Sequence, residues 1–282
     1  MKHYFLLSLL FLFLFVGCHN APKEEIPDLT KYVNPNIGTA HSRWFFYTPA
    51  ALPFGMAKLA PTTNGSYGNL WGWEAVGYDE RHTSIEGFSN FHEFQIGGIT
   101  FMPTVGKLQT IPGELENVES GYRSNFDKKD EFATSGYYSV LLKDYNIKAE
   151  LTATKRVGFH QYTFPQSTES NIIFDIGRRM GESGPVLDSK VTLVDENHIS
   201  GYVTTRPEYV KKYQAGSTLT LFFFAELNKA PKAFGTFIEE EVTEGKKEES
   251  GIGSGLYLTY DTEENEAIQI KVGLSYTSID NA

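Results

Sequence analysis

Ile147, Ala149, Leu151 and Ala153 alternate with Lys148, Glu150, Thr152 and Thr154, and no other local feature narrows the fold of this chain so far. A period of two is that of an extended strand, so the apolar set lies on one face of a sheet and the polar set in water. The same reading predicts strands over Tyr137–Lys143, Val157–Phe164, Asn171–Ile176, Val186–Val194, His198–Thr205, Leu219–Glu226, Ala233–Glu239, Gly255–Tyr260 and Ile268–Tyr276. Turn chemistry separates them, as at Asp195-Glu196-Asn197 and Gly181-Glu182-Ser183-Gly184-Pro185. No amphipathic helical stretch intervenes. The pattern therefore predicts an all-β chain, a large antiparallel β-sandwich of supersandwich-like form with long N-terminal loops.

Within that frame, Leu219-Thr220-Leu221-Phe222-Phe223-Phe224-Ala225 reads as a central strand covered on both faces. The stretch Glu239–Gly255, with Glu240, Glu241, Glu244, Lys246, Lys247, Glu248 and Glu249, is too charged to pack. It reads as a solvated hairpin loop, with a weak cation site as the alternative. The N-terminal third, Tyr32–Gln109, is richer in Gly, Pro and Trp and less regular. It reads as loops carried on a scaffold, and loops of that kind concentrate function.

The chain has 282 residues, of which 40% are hydrophobic, enough to bury a substantial core. Its net charge of -10 opposes the phosphate contacts that dominate nucleic-acid affinity, so nucleic acid is not an expected partner. The first segment stands apart from the fold. Lys2 precedes an apolar run from Tyr4 to Val16 of about a dozen residues, the length of a secretory signal and short of the ~20 that span a bilayer. It ends in Phe15-Val16-Gly17-Cys18, which resembles a bacterial lipoprotein box, with Cys18 as the lipidated residue. Cys18 is the only cysteine, so no internal disulfide supports the fold. The expected organisation is a signal and lipobox over residues 1–18, a polar tether over 19–31 and one sandwich domain over 32–282. The expected location is a bacterial membrane reached through the lipid anchor alone, periplasmic or at the cell surface.

Several chemistries are excluded by their missing signatures. Neither the Walker nor the dinucleotide glycine pattern is present. Gly251-Ile252-Gly253-Ser254-Gly255 has the wrong register for a nucleophile elbow. The seven histidines contain no His-Glu-x-x-His pair, so no transition-metal site is expected, and His160 and His198 in predicted strands read as satisfied side chains. Carbohydrate recognition remains, because sugar C–H patches pack on aromatic faces while hydroxyls need convergent polar groups. Trp71, Trp73, Asp79, Arg81, His82, Asn90, His92 and Glu93 supply such a set. Aromatic residues in loops serve equally as structural plugs, and both readings stand at this point.

Val33-Asn34-Pro35-Asn36-Ile37-Gly38-Thr39, the run Ala51-Leu52-Pro53-Phe54-Gly55-Met56-Ala57-Lys58-Leu59-Ala60-Pro61, Gly77-Tyr78, and Ile85-Glu86-Gly87-Phe88-Ser89-Asn90-Phe91-His92 occur in order. Together they resemble the N-terminal domain of glycoside hydrolase family 92, a family of bacterial exo-acting α-mannosidases active on N-glycans. The resemblance covers Tyr32 to Ala282. It implies a β-sandwich that meets a helical (α/α) barrel, an inverting calcium-dependent activity and a mannose-containing glycan as substrate. Both catalytic carboxylates and most calcium ligands are implied to lie on the barrel, for which this sequence has no counterpart. The resemblance thus assigns no catalytic residue and no metal ligand here, and a chain inactive in isolation. It implies substrate contacts from Trp71, Trp73, Asp79, Asn90, His92 and Glu93. Asn90 stands where the family tends to place a further histidine, and Ala40–Pro49 departs from the family's Gly- and His-rich run. The alternative is a non-catalytic surface glycan-binding lipoprotein.

Overall fold

A computed structural model describes residues 27–40, 47–65, 77–93 and 96–282. The signal, Cys18, most of the tether, and Trp71 and Trp73 lie outside these residues. The body from Val33 to Ala282 forms one compact unit.

The predicted alternation is realised in β9 (Ile147–Ala153), where Ile147, Ala149 and Leu151 are buried and Lys148 and Thr152 are exposed. Among the described residues all pairings are antiparallel, as hairpin-connected strands require. Among the described residues one sheet has the order β1 (Ala50–Ala51), β2 (Lys58–Thr62), β4 (Gly87–His92), β5 (Gly97–Val105), β11 (Ser167–Asp175), β18 (Ser254–Thr262), β15 (Ala233–Ile238), β16 (Glu241–Glu244). The second runs β17 (Glu248–Ser250), β12 (Val186–Leu193), β13 (His198–Thr205), β14 (Leu219–Leu227), β19 (Glu266–Ser275), β10 (Val157–Phe164), β9, β8 (Tyr137–Leu142), β7 (Phe132–Thr134). A small ribbon pairs β3 (Ser84–Ile85) with β6 (Ser124–Asn125). No described helix is long and apolar enough to cross a membrane.

The two sheets face each other across an aromatic core. Phe101 of β5 lies 4.4 Å from Phe174 on its own sheet and 6.4 Å from Phe223 of β14 on the other, between ring centroids. Phe88 of β4 meets Tyr162 of β10 at 5.8 Å. Buried polar contacts also join the layers, and one of them interrupts this aromatic packing. His160 Nε2 is 3.0 Å from Asn90 Oδ1 and its Nδ1 is 2.9 Å from the Tyr162 hydroxyl, so a buried imidazole has both nitrogens satisfied.

The structure departs from the sequence reading in three places. The N-terminal third carries long connections but also supplies β2, β4 and β5. Every residue of β4 and nearly all of β5 is buried, so neither strand shows an alternation that marks it from sequence. β14 does sit inside its sheet, yet only one face is fully covered. Leu221, Phe223 and Ala225 are buried while Phe222 and Phe224 are half-buried beside Tyr202 and His198. The charged stretch Glu239–Gly255 forms not a free loop but two edge strands, β16 closing one sheet and β17 the other. Exposed glutamates on β16 block further strand addition, the usual device at an open edge. Glu249 is the exception to solvation, buried and hydrogen-bonded by Thr236 Oγ1 (3.0 Å) and Lys246 Nζ (2.6 Å).

Candidate functional site

The loops singled out by sequence converge where β2 and β4 lie side by side, in the register Ala60 opposite Ser89 and Lys58 opposite Phe91. Strand parity decides what each residue of β4 can do. Phe88, Asn90 and His92 share a face, and Phe88 points into the core, so Asn90 and His92 follow it inward. Asn90 Nδ2 donates to the Ile99 carbonyl (2.8 Å) and its Oδ1 meets His160. Its side chain is thus engaged inside the sandwich. His92 is also fully buried. Burial pushes its imidazole down to about 3, with the nearby Tyr47 backbone opposing weakly, and among the described residues neither ring nitrogen has a partner within hydrogen-bonding geometry.

Glu93 follows at the strand exit, where its N–H donates to the Ile96 carbonyl (3.0 Å) and turns the chain toward β5. Its carboxylate is part-exposed and ion-paired with Lys58 of the neighbouring strand. A hydroxyl chain crosses the strands nearby, Thr62 Oγ1 to Ser89 Oγ at 3.0 Å and Ser89 Oγ to Thr100 Oγ1 at 2.8 Å. Met180 lies over it, its sulfur 3.6 Å from Thr62 Oγ1. Gly65 and Gly97 are needed here because a methyl group at either would run into Met180.

Asp79 is buried beneath the loop it belongs to. Arg81 grips it with Nε to Oδ1 (2.8 Å) and Nη2 to Oδ2 (2.5 Å), a bidentate pair on a part-exposed arginine. Thr63 Oγ1 donates to the Gly77 carbonyl (2.9 Å) and accepts from Asp79 N–H (3.0 Å). With that proton committed, His82 Nδ1 at 2.8 Å is the donor to Thr63. Burial lowers the His82 pKa, ahead of the opposing charge of Asp79. These contacts fix the chain on both sides of residues 66–76.

Three residues that sequence reasoning did not single out hold this region together. Arg123, fully buried, donates from Nη2 to Glu86 Oε2 (3.0 Å) and the Thr63 carbonyl (2.9 Å), and from Nη1 to Ser84 Oγ (3.1 Å). Glu86 Oε1 in turn accepts from Gly65 N–H at 2.5 Å. Glu131 receives the hydroxyls of Tyr78 (2.9 Å) and Tyr138 (2.8 Å) and pairs with Lys128 (2.9 Å), while Tyr47 stacks on Tyr78 at 4.0 Å. Burial first, and Glu131 among the nearby charges, keep the Tyr138 hydroxyl protonated far above its ordinary range. Little in the local sequence marks these partners, because Arg123 with Glu86 and Thr63, and Glu131 with Tyr78, are far apart along the chain.

Among the described residues no group of three or more His, Cys, Asp or Glu side chains is positioned to hold a metal ion. The carboxylates of the region are also committed, Asp79 to Arg81, Glu86 to Arg123 and Glu93 to Lys58.

The profile of the glycosyl hydrolase family 92 N-terminal domain matches residues 32–275, and the chain belongs to that family. A GH92 α-mannosidase from Bacteroides thetaiotaomicron, solved in complex with mannoimidazole, superposes with a TM-score of 0.80 at 26% identity, over 90% of this chain and 33% of the mannosidase. The GH92 glycosyl hydrolase ccman5 gives a TM-score of 0.70 at 24% identity, over 89% and 33% of the two chains. A GH92 inverting mannosidase from B. thetaiotaomicron gives 0.70 at 22% identity, over 89% and 32%. The last two share the fold. This chain spans about a third of the length of each of these proteins. No curated protein sequence matches it.

Proposed function

We propose that this chain is the sandwich part of an α-mannosidase-like glycoside hydrolase that supplies one wall of a mannose pocket and leaves bond cleavage to a second domain. The observation that carries this is the family match over 32–275, joined to the fold of a mannosidase that binds mannoimidazole. In this reading Trp71 and Trp73 stack on the sugar, and Glu93, Lys58 and Arg81 address its hydroxyls. Asp79, His92 and Asn90 brace that wall from within.

Inversion needs a general acid and a general base about 6.5–9.5 Å apart with room for water between them. Asp79, Glu86 and Glu93 are each neutralised by a bound cation, which suits structural roles better than either. We therefore assign the acid and base, and the ligands of the calcium expected for the family, to the partner domain. Cys18 is proposed to carry a lipid that holds the protein at a bacterial membrane, and Cys18→Ala should move the protein from the membrane to the soluble fraction.

The test uses residues 19–282. Calorimetric titration with methyl α-mannoside should give binding that Trp71→Ala abolishes, with no release of mannose from α-mannosides, with or without calcium. Calcium-dependent turnover by this chain alone would overturn the division of labour. Absence of mannoside binding would overturn the pocket wall.

A further inference from the structure

The outer face of the first sheet carries a cleft of ≈ 460 Å³, within the range of about 300–1,000 Å³ typical of small-molecule pockets. Strand register builds it. Phe174 of β11 faces the core with its partner Phe101, so alternation turns Asn171 outward. Asn171 lies opposite Thr259 of β18, and Gly235 of β15 lies between Tyr257 of β18 and Glu244 of β16, so these residues share the outer face. Gly235 is required there. A methyl group on it would stand 2.6 Å from the Tyr257 hydroxyl, which places that hydroxyl over the glycine and on the side of Glu244.

Most of the floor is already satisfied. Asn171 Nδ2 donates to the carbonyls of Gly106 (3.0 Å) and Glu169 (3.2 Å), and its Oδ1 accepts from Thr259 Oγ1 (2.8 Å). Tyr257 is different. The residue is only 6% exposed, yet its hydroxyl has no hydrogen-bond partner among the described residues and, unlike those of Tyr47 and Tyr260, is open to solvent in the cleft. Burial first, and then the charge of Glu244, raise its pKa, so it stays protonated and close to that carboxylate. Glu169 and Glu244 are exposed on the same lining, and neither carboxylate has an ion-pair partner among the described residues. No lysine, arginine or histidine is among the described residues that line the cleft.

These groups select the occupant by charge. An anion is repelled by both carboxylates, and a neutral polyol leaves them without counter-charge. No third metal-binding side chain joins them among the described residues. A nitrogen cation answers all three groups, since its N–H bonds can be accepted by the carboxylates and by the Tyr257 hydroxyl. We propose that this cleft binds a small organic cation, an alkylammonium or guanidinium group on a carbon stem. Glu169 and Glu244 supply the counter-charge, Tyr257 Oη accepts one N–H, and the stem lies against Leu108 and Ala233. The site uses no residue of the proposed mannose wall and does not rest on that reading. A free polyamine and a lysine or arginine side chain of another protein present the same group.

The test is calorimetric titration of the chain with putrescine and agmatine, and with the methylamides of N-acetyl-lysine and N-acetyl-arginine, against sorbitol as a neutral polyol. At least one cation should bind saturably. Tighter binding of the first pair assigns the source to free amines, and of the second to a polypeptide. Glu169→Gln and Glu244→Gln should each raise Kd roughly threefold or more, and Tyr257→Phe, which keeps the ring, about fivefold. Glu241→Gln, on the same exposed strand as Glu244 but outside the cleft, should leave Kd unchanged. No saturable heat with any of the four cations leaves the cleft to water and overturns the proposal. Equal weakening by Glu241→Gln assigns the binding to the net charge of -10 and overturns it too, as does sorbitol binding as tightly as the cations. Should Tyr257→Phe not fold, an unchanged Kd in Glu169→Gln and Glu244→Gln is sufficient to overturn it.

Discussion

Replacing Arg123 by Met tests whether the buried ion pair with Glu86 organises the loops or merely accompanies them. Both side chains are out of water, at 0% and 3% exposure, and their closest approach is 3.0 Å. Methionine fills the space of the arginine stem, so little packing is lost. What is lost is the cation paired with Glu86, together with the donors to the Thr63 carbonyl and Ser84 Oγ. Removing one partner of a buried pair costs about 3–5 kcal/mol, because the other charge is left uncompensated. For a domain of this size each kcal/mol lowers Tm by roughly 2–4 °C, so a fall of roughly 6–20 °C is expected. The double variant Arg123→Met with Glu86→Gln removes the stranded charge and keeps an acceptor for Gly65 N–H. It should recover at least half of the loss, a coupling of about 1.5–3 kcal/mol in a double-mutant cycle. Urea unfolding followed by intrinsic fluorescence measures all four proteins, and unchanged m-values certify that they are comparable. A single-variant cost below about 1 kcal/mol, or no recovery in the double variant, refutes the reasoning from the buried charge. Because Gly65 leads into residues 66–76, the single variant should also weaken mannoside binding.

His160 and His92 have folded pKa values pushed down to about 3, so the unfolded chain binds their protons first. Stability is fully present above the unfolded value near 6.5 and falls with pH toward the folded value, by about 1.4 kcal/mol per pH unit for each histidine. At pH 5 this amounts to about 2 kcal/mol each, and His160→Gln should flatten the slope of unfolding free energy between pH 6.5 and 5 by one proton; an unchanged slope contradicts the assignment. Phe54 is fully exposed at a φ of 60°, where a side chain costs about 1 kcal/mol and glycine little, so Phe54→Gly should be neutral to slightly stabilising in urea. A loss above about 1 kcal/mol would show that Phe54 has a packing partner. Glu241→Thr with Glu244→Thr strips the charge from an edge strand and should raise light scattering on concentration with little change in Tm; equal solubility would deny the edge its protective role.

How far the sequence reveals this molecule depends on which faces its strands present. β9, β10 and β13 are legible because one face is wet, and their predicted bounds agree closely with the structure. β4 is illegible for the opposite reason. Its six residues Gly87–His92 are all buried, and polar side chains occur on both parities, so Phe88-Ser89-Asn90-Phe91-His92 looks like a polar-aromatic loop. One clue was available. Asn90 and His92 share parity with Phe88, and a phenylalanine in a strand faces the core more often than water. The strand is thus framework and platform at once. Asn90 ties it to the opposite sheet through His160, while the next residues turn out of the sheet and bring Glu93 to the surface beside Lys58. That division has a functional consequence. A residue at the end of a strand locked on both faces is held more closely than one on a free loop, and sugar recognition requires such positioning of a few polar groups. The polar residues of β4 thus lie inside on both parities, Asn90 bonded to the opposite sheet and Ser89 to its neighbouring strands, and a carboxylate reaches the surface only past the strand, at Glu93.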